Sequence, residues 1–320
     1  MKIENILSFY SIMDLNEIFT SKNITESSKK LYLANLTRLN GGVIKNLKFL
    51  DNVDAVKEKL EKYKPNTQRS YIISIVSLLK SLKEKQKKYS KLYDSYYAIL
   101  DGMNKSLKDN TEKTEKEEKE WIGQDAVKEK FETNMKVIEE LKDKKKLTTE
   151  EYEKLLHLVV LSLFVLQKPR RNKDYQDAYI TKKYKPELGT EKNFFDLFKN
   201  EFHFNNYKTQ GTYKTQTCEA NPLLREIIDF YLKFHPLKAK LKEKDALIPL
   251  LVDEKGEPFT QNNSLTRMLY KIFGSKIGSS MLRKLYLTDK YADVMKEMKA
   301  DTQAMGTSTG TAQTNYIKKD

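Results

Sequence analysis

TTEEYEKLLHLVVLSLFVLQKPRRNKDY, residues 148–175, reads as one capped, strongly apolar helix that ends abruptly in a proline and two arginines. Thr148 or Thr149 can cap the first turn through its hydroxyl, and the glutamates that follow suit the positive end of the helix dipole. The run from Leu155 to Leu166 is apolar on every side, which predicts a helix at the centre of a domain rather than on its surface. It is too short to cross a bilayer. Pro169 discourages helix in the residue before it. The chain therefore turns where Arg170 and Arg171 stand, with Asp174 close behind.

On the C-terminal side the pattern changes from helical to β-like. NFFDLF (193–198) and EFHFNNYKTQGTYKTQTCEA (201–220) are short β-prone runs, and the second flanks Gln210-Gly211 as in a hairpin. Helical spacing returns in NPLLREIIDFYLKF (221–234), SLTRMLYKIFG (264–274) and SSMLRKLYLTDKYADVMKEM (279–298). On the N-terminal side, AVKEKFETNMKVIEELK (126–142) is a further helix, preceded by NKSLKDNTEKTEKEEKE (104–120). That stretch is almost devoid of apolar residues, so it is a solvated helix or a linker and the best domain boundary.

Residues 1 to about 100 read as helices. SSKKLYLANLTRLN (27–40) opens after Thr25 or at Ser27. NTQRSYIISIVSLLKSL (66–82) opens at Asn66 or Thr67 and gathers Ile72, Ile73, Val76, Leu79 and Leu82 on one face. Lys29, Lys30, Arg38, Arg69 and Lys80 fall elsewhere, so a helical bundle with a basic exterior is expected. The expected fold is mainly α: an N-terminal bundle over 1–104, a charged segment over 105–122, and a helix-dominated domain with a small antiparallel sheet over 123–320.

Composition narrows the function. Lys and Arg number 59 against 45 Asp and Glu, a net charge of +14, so a polyanion such as DNA or RNA is the leading partner class. The lone Cys218 cannot form an internal disulfide, which fits a reducing intracellular compartment. His157, His203 and His235 are widely spaced and lack neighbours at ligand spacing, so no zinc site is expected. The opening residues contain acids at helical spacing and do not read as a signal peptide. No nucleotide-binding loop, dinucleotide fingerprint or HExxH is present, which leaves ATP use, dinucleotide binding and metalloprotease chemistry without support. No cofactor, metal or membrane association is expected.

Three cationic junctions remain, KPRRNKD, NNYKTQGTYKT and GSSMLRKLYLT, together with the C-terminal MGTSTGTAQTNYIKKD. From Arg283 to Thr307 is 24 residues, and from Thr307 to Tyr316 is nine. In this order and spacing the chain resembles the tyrosine recombinases, the phage-type integrase family, and particularly diverged members carried by virophages and giant-virus mobile elements. The resemblance runs over essentially the whole chain and implies an N-terminal core-binding domain followed by a catalytic domain.

Carried over residue by residue, the resemblance implies Arg171 as the first catalytic arginine, with Asp174 at the family's spacing and Arg170 as the alternative. It implies Lys208 as the hairpin lysine, with Lys214 as the alternative, then Arg283 as the second arginine and Tyr316 as the nucleophile. Ser280 and Thr307 stand where the family usually places histidine, or histidine or tryptophan. Hydroxyls there can donate hydrogen bonds but carry no charge, so slower chemistry is expected than in a histidine-bearing relative.

The implied reaction is DNA cleavage and rejoining through a 3′-phosphotyrosyl intermediate, serving site-specific recombination or integration. Arginines suit the phosphate because their forked donors match two of its oxygens, and a lysine can protonate the leaving 5′ oxygen. Relaxation of DNA as a type IB topoisomerase, or duplex binding by a lapsed relative, are the competing expectations. The implied partner is double-stranded DNA, with a monomer in solution and a tetramer on paired sites. A host cytoplasm or nucleus is the implied compartment if the chain is viral.

Overall fold

The computed structural model describes residues 12–84, 87–109 and 112–318. The chain divides into two compact units, Met1–Glu112 and Lys113–Asp320.

The first unit contains helices α1 (Ile12–Thr20), α2 (Glu26–Asn40), α3 (Val53–Glu61), α4 (Pro65–Leu82) and α5 (Lys87–Asp109). The helical reading of residues 1–11 lies outside the described residues. Thr25 caps α2 by accepting the Ser28 N–H, and Asn52 caps α3 by accepting the Ala55 N–H. α4 starts two to three residues earlier than a cap at Asn66 or Thr67 would have it: Lys64 is the cap and Pro65 the first helical residue, where its missing N–H costs no hydrogen bond. Tyr71, Ile72, Ile75, Val76, Leu78, Leu79 and Leu82 are all buried, so α4 is wrapped on several sides rather than on one stripe. α2 and α5 pack against it.

The second unit begins with α6 (Glu115–Glu120), inside the charged stretch, where Thr114 and Glu117 form a reciprocal capping box. Next come α7 (Gln124–Leu141) and α8 (Thr149–Val165), the latter closed by a second capping box between Thr148 and Glu151. Leu155, Leu156, Leu158, Val159, Val160, Leu161, Leu163 and Phe164 of α8 are buried, as its apolar run predicts. α7 packs on α8, as do α11 (Pro222–Phe234) and α12 (Ser264–Phe273). α9 (Asn172–Gln176) follows the arginine turn, α10 (Gln210–Tyr213) is a single turn, and α13 (Ser279–Ala304) and α14 (Thr309–Thr311) close the unit. No helix of the described residues is long and apolar enough to cross a membrane.

The sheet is mixed, not antiparallel as expected. Its strands are β1 (Ala178–Thr181), β2 (Asn193–Asp196), β3 (Glu201–Phe204), β4 (Gln216–Glu219) and β5 (Ile248–Pro249), in the order β4-β3-β2-β1-β5. β1 and β2 run parallel and the other pairs antiparallel. β3 and β4 do pair as a hairpin, in register from Glu201 opposite Glu219 to Phe204 opposite Gln216. Their connection is residues 205–215 rather than a tight turn at Gln210-Gly211, because those two residues begin the helical turn α10.

His235, at the end of α11, is buried; its Nε2 lies 3.1 Å from the Pro249 carbonyl and its Nδ1 accepts the Leu237 N–H. Burial pushes its pKa down from 6.5 to about 4, against the opposing pull of the Pro249 carbonyl. The unfolded chain therefore binds this proton more tightly than the native one, and stability falls as pH drops below about 6.5, levelling off near 4. Roughly 2 kcal/mol should be lost between pH 7.5 and pH 5 from this group. Urea unfolding at both pH values measures it, and a His235→Gln variant should show that much less pH dependence.

Candidate functional site

At the end of α8 the two adjacent arginines have different surroundings. Arg170 donates from Nε to Asp174 Oδ2 at 2.9 Å and from Nη1 to Gln216 Oε1 on β4 at 2.8 Å. Its guanidinium lies 3.8 Å from the Phe204 ring centre and 4.9 Å from that of Tyr207. Asp174 is buried, and burial holds its carboxyl above the usual range despite the attraction of Arg170. Arg170 is thus a bracket between α9 and the β4 edge. Arg171 is the capping residue of α9 and is partly exposed. Its charge helps to offset the burial of Asp174, but no hydrogen bond or ion pair among the described residues occupies its guanidinium.

The loop at 205–215 is tied to the same bracket. Tyr207 lies under Arg170 and donates its hydroxyl to the Lys214 carbonyl at 2.6 Å. The buried Asn193 donates to the Asp174 and Asn206 carbonyls at 2.9 and 3.0 Å. Its Oδ1 accepts the Asn205 and Asn206 N–H groups at 2.9 and 2.8 Å. One side chain therefore fixes the start of the loop against α9. Lys208 and Lys214 are exposed, with no acid partner among the described residues. Lys214 has φ of 56° and ψ of −158°, a sparsely populated positive-φ conformation at the entry to β4.

Asn172, next to Arg171, donates to Thr266 Oγ1 on α12 at 2.7 Å. Thr266 also flanks Gly278, the capping residue of α13: its methyl group would lie 3.6 Å from a Cβ built there. Ser280 is exposed in the first turn of α13 and Arg283 is partly buried three residues on, the spacing that places two residues on one helix face. Leu282 and Leu285, both buried, anchor this end of the helix. α6 packs over it. Glu117 forms an ion pair with Lys284, and Glu120 accepts the Lys276 N–H at 3.1 Å. Arg283 itself has no such partner among the described residues.

The remainder of α13 leaves the core. None of residues 286–301 is buried, and Leu287, Tyr291, Val294 and Met295 are exposed. The helix ends on Gly306 at φ of 68°, with the Thr307 N–H returning to Thr302 O and the Gly306 N–H to Gln303 O. This is a Schellman stop, which needs glycine at that place. Gly306 thus serves the helix end, and Thr307 contributes its backbone N–H to that stop. Ser308 then caps α14.

Tyr316 closes a wide helical turn, Ala312–Tyr316, and is 61% exposed. From Arg283 to Ala304 the helix rises about 32 Å. Among the described residues Tyr316 shares no hydrogen bond, ion pair or ring contact with Arg171, Lys208 or Arg283.

The structure thus links the neighbourhoods of Arg171, Lys208, Lys214, Ser280 and Arg283 through Tyr207, Asn193 and Thr266, and it carries Tyr316 past the far end of α13. Sequence reasoning did not single out Asn193 or Thr266, whose roles depend on partners distant in the chain. Among the described residues no group of three His, Cys, Asp or Glu side chains could hold a metal ion. Compared with protein-family models, curated proteins and solved structures, the chain matches none.

Proposed function

We propose that the chain is a DNA strand transferase of the tyrosine recombinase type, acting in site-specific recombination or integration. The observation that carries this reading is a set of cations whose side chains have no hydrogen-bonded or ion-paired acid among the described residues, Arg171, Lys208 and Arg283, on elements linked through Tyr207, Asn193 and Thr266. Such a set suits a phosphodiester whose charge rises as it becomes five-coordinate. In the proposed step the Tyr316 oxygen attacks phosphorus and loses its proton to solvent. The bond from phosphorus to the 5′ oxygen breaks, and Lys208 protonates that oxygen. A 5′-hydroxyl later reverses the attack. Arg171 and Arg283 hold the non-bridging oxygens. Tyr316 reaches the phosphate by folding back of the exposed half of α13 or from a second protomer on DNA.

A duplex nicked just beyond the cleavage point, so that the short fragment carrying the freed 5′-hydroxyl diffuses away, should trap a covalent adduct. Intact duplex binding with no adduct would defeat the catalytic reading. The position of Tyr316 past the end of α13 favours that second outcome, a DNA-binding protein whose catalysis has lapsed. Replacing Lys208 by alanine should slow adduct formation about 100-fold. With a bridging 5′ sulfur the rate should be unchanged, since a thiolate leaves without a proton. If Lys214→Ala shows this pattern instead, the general acid lies on the other side of α10.

A further inference from the structure

We propose that the first unit holds a phosphate-binding notch built by Arg38, Lys59, Lys62, Tyr63 and Tyr71, which takes one backbone phosphate of duplex DNA. The notch is a cleft of about 240 Å³ where the ends of α2 and α3 meet the side of α4.

Its floor is rigid. Tyr71 is 2% exposed, and Tyr63 stacks on it with ring centres 5.1 Å apart. The Tyr71 hydroxyl accepts from Arg38 Nη1 at 3.2 Å, which holds the guanidinium at the mouth of the cleft. An arginine carries five N–H donors, so most of this one's remain unused. Lys59 and Lys62 stand three apart at the end of α3, on one face, and the Lys62 ammonium lies 5.4 Å from the Tyr63 ring centre.

None of the three cations has a carboxylate partner among the described residues, although glutamates stand beside both lysines in the sequence. Elsewhere in the same unit lysines do pair locally, Lys29 with Glu26 and Lys57 with Asp54. The ends of two helices account for some of the attraction of cations to this place. They do not account for a guanidinium fixed on a buried phenol with its other donors open to a cleft. Paired donors of this kind, with two lysines beside them, suit the non-bridging oxygens of a phosphodiester.

The choice of duplex DNA rests on the proposed function; the notch itself does not. Two measurements on the full chain separate them: fluorescence anisotropy of a labelled duplex over a range of salt, and ³¹P line broadening of inorganic phosphate. A Lys59→Gln/Lys62→Gln variant, altered only at exposed positions, should lose the phosphate broadening. The slope of log affinity against log salt should flatten by about one to two. The matched Lys29→Gln/Lys57→Gln variant, which removes paired lysines, should change neither. Equal behaviour of the two variants in both measurements would overturn the notch. Phosphate broadening that needs Lys59 and Lys62, with no duplex binding, would leave the notch standing as a free-phosphate site and overturn its assignment to DNA.

Discussion

Replacing Tyr316 by phenylalanine should abolish the covalent adduct with a nicked duplex while leaving duplex affinity within about two-fold. The adduct bond is made to the phenolic oxygen, so its removal leaves no slower route through the same residue. The fold should not suffer, because the Tyr316 hydroxyl donates to nothing among the described residues and the ring is largely exposed. A melting temperature equal to that of the parent chain checks this independently.

Two other tyrosines make the result informative in either direction. Tyr286 follows Arg283 by three residues on α13, and the exposed Tyr291 lies one to two turns further; Lys290 sits 6.0 and 5.3 Å from their ring centres. Both are nearer to Arg283 along the helix than Tyr316 is. If the phenylalanine variant still forms an adduct, digestion and mass spectrometry would place it on one of these residues. The nucleophile inferred from spacing would then be wrong while the chemistry stood. Loss of the adduct with binding intact would instead make the approach of Tyr316 to the cations the step to explain.

Features set by local physics were legible in the sequence. The α8 helix could be read because its cap, its apolar run and its terminating proline lie within one stretch. The sheet could be read only in part. β1 spans four residues and β5 two, too few to display alternation, and the parallel pairing of β1 with β2 depends on how residues 182–192 cross over. A hairpin turn at Gln210-Gly211 was a fair reading of composition, but Asn193 pins the chain at Asn205 and Asn206, and the helical turn α10 takes up the following residues.

The candidate site was legible as a set of residue types and illegible as an arrangement. Nothing near Gly306 in the sequence marks it as the stop of a long helix; the left-handed φ and the two returning hydrogen bonds do. Likewise, no local pattern says that Thr266, 94 residues from Asn172, joins the start of α9 to the start of α13.

Arg170 and Arg171 adjoin in sequence, and their substitution should separate stability from catalysis. Arg170→Met removes the partner of a buried carboxylate, together with the bond to Gln216 and the stacking on Phe204. Stranding a buried charge in this way costs about 3–5 kcal/mol, readable as a lower urea midpoint. Asp174 already sits above the usual carboxylate range because of burial, and without Arg170 it should move higher still. The native state then binds that proton more tightly than the unfolded chain, so the stability of the Arg170→Met variant relative to the parent should recover as pH falls through the raised pKa. Arg171→Gln, at a partly exposed position with no side-chain hydrogen bond or ion pair among the described residues and only a longer-range attraction to Asp174, should shift stability by no more than about 0.5 kcal/mol. Its adduct-forming rate should nevertheless fall about 10²- to 10³-fold, the cost of losing one preorganised donor to a transition-state oxygen. If Arg170→Met instead lost the rate at full stability, and Arg171→Gln lost stability at full rate, the two roles would have to be exchanged. The bracket between α9 and β4 could not then be the reason for the first of the pair.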